Sequence, residues 1–110
     1  MKLRISGLVA TFVVSCLLGS VQSLAPNAYI ANVLDNSVSV IGTPTNTVTA
    51  TIPVGVTPAG VAVSPEGSKV YVTNQGDEIS PSTVSVIDTK TNSVTANVPV
   101  GVGPTSAAVT

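Results

Sequence analysis

The sequence predicts an all-β fold: two four-stranded antiparallel units, preceded by a cleaved export signal. Three observations carry that prediction. The body is rich in Val, Thr and Ser, with only 3% aromatic and 8% charged residues. β-branched side chains are stiff in a helix and fit a pleated surface. Apolar residues alternate with polar ones at period two, as in half-buried strands. Finally, a stretch of about 45 residues is written twice.

The strands follow in order from the second copy. Gly60 to Ser64 is a short apolar strand, and Pro65-Glu66-Gly67-Ser68 supplies turn chemistry after it. Pro presets φ and Gly is free to take positive φ. Val70 to Asn74 sets Val70, Val72 and Asn74 against Tyr71 and Thr73. Thr83 to Asp88 sets Val84, Val86 and Asp88 against Ser85 and Ile87. Ser93 to Val98 sets Val94, Ala96 and Val98 against Thr95 and Asn97. Asp88 to Asn92 is a polar hairpin loop, and Pro99 with Gly101 ends the outer strand.

The first copy repeats this text. Ala28 to Asn32 (AYIAN) aligns with Val70 to Asn74 (VYVTN), placing Tyr29 on Tyr71 and Asn32 on Asn74 at an offset of 42. Ser37 to Val56 aligns with Thr83 to Val102 at an offset of 46, with fourteen of twenty positions identical. The difference of four residues is an insertion within Gln75 to Ser82. A period of 42 to 46 residues suits a four-stranded β-propeller blade. The strand count is then three, four and one: the last segment, Ser106 to Thr110, matches the first strand of a unit, Gly60 to Ser64.

These phrases resemble the YVTN-type β-propeller repeat family. The namesake motif stands at Tyr71-Val72-Thr73-Asn74, and GVAVSPEGSKVYVTN and TVSVIDTKTNSVTANVPVGVGP are similar to the family pattern. The resemblance covers Ala28 to Thr110, with Glu66 where the family more often has Asp. It implies two blades, residues 28–69 and 70–110, of a partial propeller spanning 24–110. It also implies an exported protein, since such repeats occur in surface-layer-like and periplasmic proteins. It does not assign a chemistry.

The export expectation rests on the first residues. Met1-Lys2-Leu3-Arg4 is basic, Ile5 to Leu18 is apolar, and Gly19 to Ser23 is small and polar. That is the three-part signal peptide, with cleavage expected between Ser23 and Leu24. An uncleaved anchor needs roughly 20 apolar residues, and this run is shorter. Val13-Val14-Ser15-Cys16 offers the alternative of a lipid anchor at Cys16. Leu17-Leu18 continue the apolar run past the cysteine and argue against it. The expected location is secreted, periplasmic or at the cell surface.

Composition bounds the function. There is no histidine, which removes the commonest general base and metal ligand. A lone cysteine makes no internal disulfide. Beyond Arg4 the chain has Lys69 and Lys90 against Asp35, Glu66, Asp77, Glu78 and Asp88, no footprint for nucleic-acid phosphates. No nucleophile–base motif, P-loop or C-x-x-C is present. No catalytic, cofactor-binding or metal-binding residue is assigned, and no cofactor is expected. Tyr29 and Tyr71 are expected to pack between or within repeats, and Asn32 and Asn74 to close strand ends by bonding to backbone. Glu66 is expected to be solvated in its turn. Asp77 and Glu78, in the insertion, are two adjacent acids where a calcium loop needs six or more oxygens, so a solvated extension is expected. The expected function is a non-enzymatic structural or interaction module of the envelope or surface, binding a protein or cell-surface ligand. Self-association, or further blades of the same propeller, would complete it. The alternative is a piece of a longer propeller enzyme, lactonase-like or redox-linked, whose site lies outside this chain.

Overall fold

The structure is a computed structural model that describes residues 26–110. The signal segment 1–23, the cut before Leu24 and Cys16 lie outside the described residues.

Seven strands run in order: β1 (Asn27–Asn32), β2 (Ser37–Gly42), β3 (Thr47–Pro53), β4 (Pro58–Val63), β5 (Lys69–Asn74), β6 (Thr83–Asp88) and β7 (Ser93–Pro99). No helix occurs among the described residues. The strands form two antiparallel sheets, β1-β2-β3 and β4-β5-β6-β7. The second sheet has the expected four strands, and the first has three. Ser106 to Thr110, expected as a strand, forms none. A strand exists by pairing its backbone groups along a ladder. This segment passes close beside Gly60 on β4, where an added Cβ would meet Thr105 O and lie 2.9 Å from Ser106 Cα, without joining a ladder.

The repeat extends to irregularities of the backbone. Both sheets carry a register shift at equivalent places, between Val40 and Ile41 in β2 and between Val86 and Ile87 in β6. A threonine hydroxyl of the outer strand bonds to each: Thr49 Oγ1 donates to Val40 O, and Thr95 Oγ1 to Val86 O, both at 3.3 Å. Both hairpins turn through an asparagine at positive φ, Asn46 (56°) and Asn92 (53°). Asparagine tolerates that region better than β-branched residues do. Each donates its N–H to the last strand residue, to Gly42 O at 2.7 Å and Asp88 O at 2.8 Å.

One core joins the sheets. Val38, Val40 and Ile52 of the first sheet cluster with Val70, Val72 and Ile87 of the second, all fully or almost fully buried. Tyr29, Ala50 and Val54 flank the cluster from one side and Val61 and Val94 from the other. Burial of each such Val or Ile stabilises by roughly 1.5–3 kcal/mol. The register explains why these residues share a face: Tyr29 lies opposite Val40, Val70 opposite Ile87, and Val61 opposite Val72. The two contacting faces are not equivalent in the repeat. At an offset of 46, Val38 and Val40 correspond to Val84 and Val86, which lie on the other face of the second sheet.

Candidate functional site

The site is built by the linker between the sheets, Val54 to Thr57, crossing the second sheet. Asn36 holds the start of this linker: its backbone O accepts from Val54 N (3.0 Å) and its Oδ1 from Thr57 N (2.9 Å). The far end is tied to the second sheet by Gln75 N to Thr57 O and Gly76 N to Val56 O, both 2.9 Å. Between these ties Gly55 lies on the Asn74 amide so closely that a Cβ would come within 2.7 Å of Asn74 Cγ and Nδ2. Any larger residue there must displace a fully buried side chain.

Asn74 begins a polar chain across the sheet. Its Nδ2 donates to Thr83 Oγ1 (3.1 Å) and Ser85 Oγ (2.9 Å), and Ser85 Oγ donates onward to Asn97 Oδ1 (2.9 Å). The first sheet has the counterpart: Asn32 Nδ2 donates to Ser37 Oγ (3.1 Å) and Ser39 Oγ (2.8 Å). The expectation that these asparagines bond to backbone is therefore corrected. The neighbouring strand brings two hydroxyls to the amide's own face, while the backbone groups there are used by the ladder. The recurrence of a hydroxyl pair at Ser37/Ser39 and Thr83/Ser85 was the sequence signal for this network. Asn97 had none, since Thr51 stands at its repeat position.

Beside this chain lies an open groove of about 310 Å3, walled by Val54, Gly55 and Val56 of the linker, Val94 and Asn97 of β7, and Ser80 and Pro81 of the insertion. None of its lining residues carries an ionisable group. It presents apolar surface, an amide and hydroxyls, a chemistry suited to binding an uncharged chain segment by contact and hydrogen bonds.

The insertion is thus one wall of the groove as well as a loop extension. Asp77 organises it: Oδ1 accepts from Ile79 N (3.0 Å) and Ser80 N (2.6 Å), and Asp77 N donates to Ser80 O (3.0 Å). The N–H of Ile79, then that of Ser80, hold the Asp77 carboxyl below the ordinary value of 3.8. Glu78 is exposed, and among the described residues no three His, Cys, Asp or Glu side chains gather. Glu66 is exposed in its turn. A backbone N–H of its own residue, then the Ser68 hydroxyl at 2.8 Å, lower its carboxyl pKa. Tyr29 packs on the inter-sheet core, whereas Tyr71 is half-buried on the outer face of the second sheet.

Comparison with known proteins gives a partial likeness to a solved structure. No protein-family model matches the chain, and no curated protein matches it. Among solved structures the chain is similar to a chain of Kuenenia stuttgartiensis hydrazine synthase, with a TM-score of 0.70 and 28% identity. The likeness covers 76% of this chain and 23% of that one, so this chain spans about a quarter of the length of the enzyme chain it matches.

Proposed function

We propose that the chain is an exported, non-enzymatic interaction module of the cell envelope or surface, built from two β-propeller-type blades of the YVTN kind. One observation supports this reading: the two sheets share a core across unlike faces, and the same two kinds of apolar face recur, partly exposed, on the outside of the pair. A unit that adheres through its faces and offers an uncharged groove is equipped for recognition. Bond-breaking at a hydroxyl would require a base positioned to activate it, and the groove's lining of amides, hydroxyls and apolar carbons carries no ionisable side chain.

The test is fractionation of cells producing the full chain, followed by N-terminal sequencing. Recovery from the exported fraction with a mature start at Leu24 is expected. Retention in the cytoplasm with Met1 intact, or turnover of lactone or ester substrates by the purified chain, would contradict the reading. A mature start at lipid-bearing Cys16 would replace free export with surface anchoring.

The likeness to a quarter of a hydrazine synthase chain favours a second reading, in which these blades belong to a larger propeller enzyme. Sequencing the gene beyond the codon for Thr110 separates the two, since further in-frame repeats would support the larger protein.

A further inference from the structure

We infer that the outer faces of the two sheets bind each other between chains, so that a second copy of this protein docks head to tail on the first. The inference rests on the propeller-type reading above and names the partner. Inside the chain, Tyr29, Val38, Val40, Ala50 and Ile52 of the first sheet meet Val61, Val70, Val72, Ile87 and Val94 of the second. The repeat carries both sets to the outside. The first set recurs as Tyr71, Val84, Val86, Ala96 and Val98 on the outer face of the second sheet. The part of the second set that lies on β5 to β7 recurs as Ala28, Ile30, Ile41 and Val48 on the outer face of the first. Every counterpart is again apolar or tyrosine. Among the described residues these faces are open at their margins and closed at one centre: Ile30 is 45% exposed, Val48 60% and Val98 46%, whereas Val86 is 8% exposed.

The linker recurs too. Val54 and Val56, which lie over the second sheet, correspond to Val100 and Val102, which are 40% and 100% exposed. The support holding the linker is repeated position for position, with a serine hydroxyl in place of the asparagine amide: Val100 N donates to Ser82 O and Gly103 N to Ser82 Oγ, both at 3.2 Å, as Val54 N and Thr57 N donate to Asn36 O and Oδ1. Pro99 to Gly103 is thus held in the posture of a linker, and among the described residues no sheet lies beneath it. The segment after it, Pro104 to Thr110, passes beside Gly60 of β4. Its residues align with β4 itself, so in the docked pair Ala107 lies opposite the next copy's Ile30, as Val61 lies opposite Val72. That adds the fourth strand to the three-stranded sheet and covers the edge of β1, which among the described residues pairs only with β2. The contact is heterologous: one copy's second sheet always meets another's first sheet.

The test uses the full chain, purified as the cell processes it, and three substitutions at exposed positions outside the inter-sheet core: Ile30→Asp on the first sheet, and Val98→Asp and Val102→Asp at the other end. Circular dichroism confirms that each variant keeps its sheet. By light scattering at micromolar concentration, the unsubstituted chain is expected at no less than twice the mass of one chain. Each variant alone is expected at the mass of one chain. An equimolar mixture of I30D with V98D, or with V102D, is expected to stop at a one-to-one dimer, because each partner keeps one intact face and the two are complementary. A monomeric unsubstituted chain, or mixtures that stay monomeric or grow without limit, would overturn the inference. A monomer that is nonetheless exported with Leu24 first would leave the proposed function standing while removing self-docking.

Discussion

Asn74 and Asn32 occupy one repeat position and make the same pair of hydrogen bonds, yet their surroundings differ. Asn74 is fully buried under Gly55, with Oδ1 unpartnered, while Asn32 is half-buried with water at hand. Removing a buried partner costs more than removing one that solvent can replace. Asn74→Ala is therefore expected to lower unfolding free energy by about 1–3 kcal/mol, and Asn32→Ala by about 0.5–1.5 kcal/mol. Urea titration of the two variants checks the order, and equal losses would contradict the role given to burial. Part of this was legible beforehand. Equal residues at equal repeat positions signalled a shared structural task, which holds for the asparagines and not for the tyrosines, since Tyr29 packs on the inter-sheet core and Tyr71 does not. What the asparagines bond to was hidden, because the choice between backbone and hydroxyl depends on the register of the neighbouring strand, which pairs Asn74 with Thr83. A sequence read strand by strand does not supply that register.

At the scale of elements, the strands were legible to within two residues because alternation and turn residues agree. Lys69–Asn74 was expected from Val70, and Thr83–Asp88 was expected as found. Ser106 to Thr110 matches β4 in composition yet forms no strand, because a strand also needs a ladder partner. The insertion was legible as an extra piece, and its inner boundary was not. Ser82 is buried and belongs to the repeat, since its Oγ donates to Gln75 O (2.7 Å) and accepts from Gly103 N (3.2 Å). The dispensable residues are therefore Asp77 to Ser80, rather than a stretch ending at Ser82. Deleting Asp77 to Ser80 halves the loop and is expected to change stability by roughly 0.6 kcal/mol or less. Ser82→Ala, with no change of length, is expected to cost about 0.5–1.5 kcal/mol. Thermal unfolding of the two variants compares them directly. A larger loss from the deletion would make the groove wall itself a stabilising element.

At the scale of the whole molecule, what period two cannot reveal is which face of each sheet is covered. Both faces of both sheets carry valine, so patterning alone is compatible with like faces meeting or with unlike faces meeting. The structure selects unlike faces, Val38 and Val40 against Val70 and Val72. That selection is what the proposed self-docking requires, because each outer face would then be the complement of the other. Like-with-like packing would bury one kind of face twice and leave no complementary pair outside. Methyl NOE spectroscopy on the purified chain with Val and Ile labelled decides between them. Cross-peaks from Val38, Val40 and Ile52 to Val70, Val72 and Ile87 are the predicted result, and cross-peaks from Val38 and Val40 to Val84 and Val86 instead would contradict it.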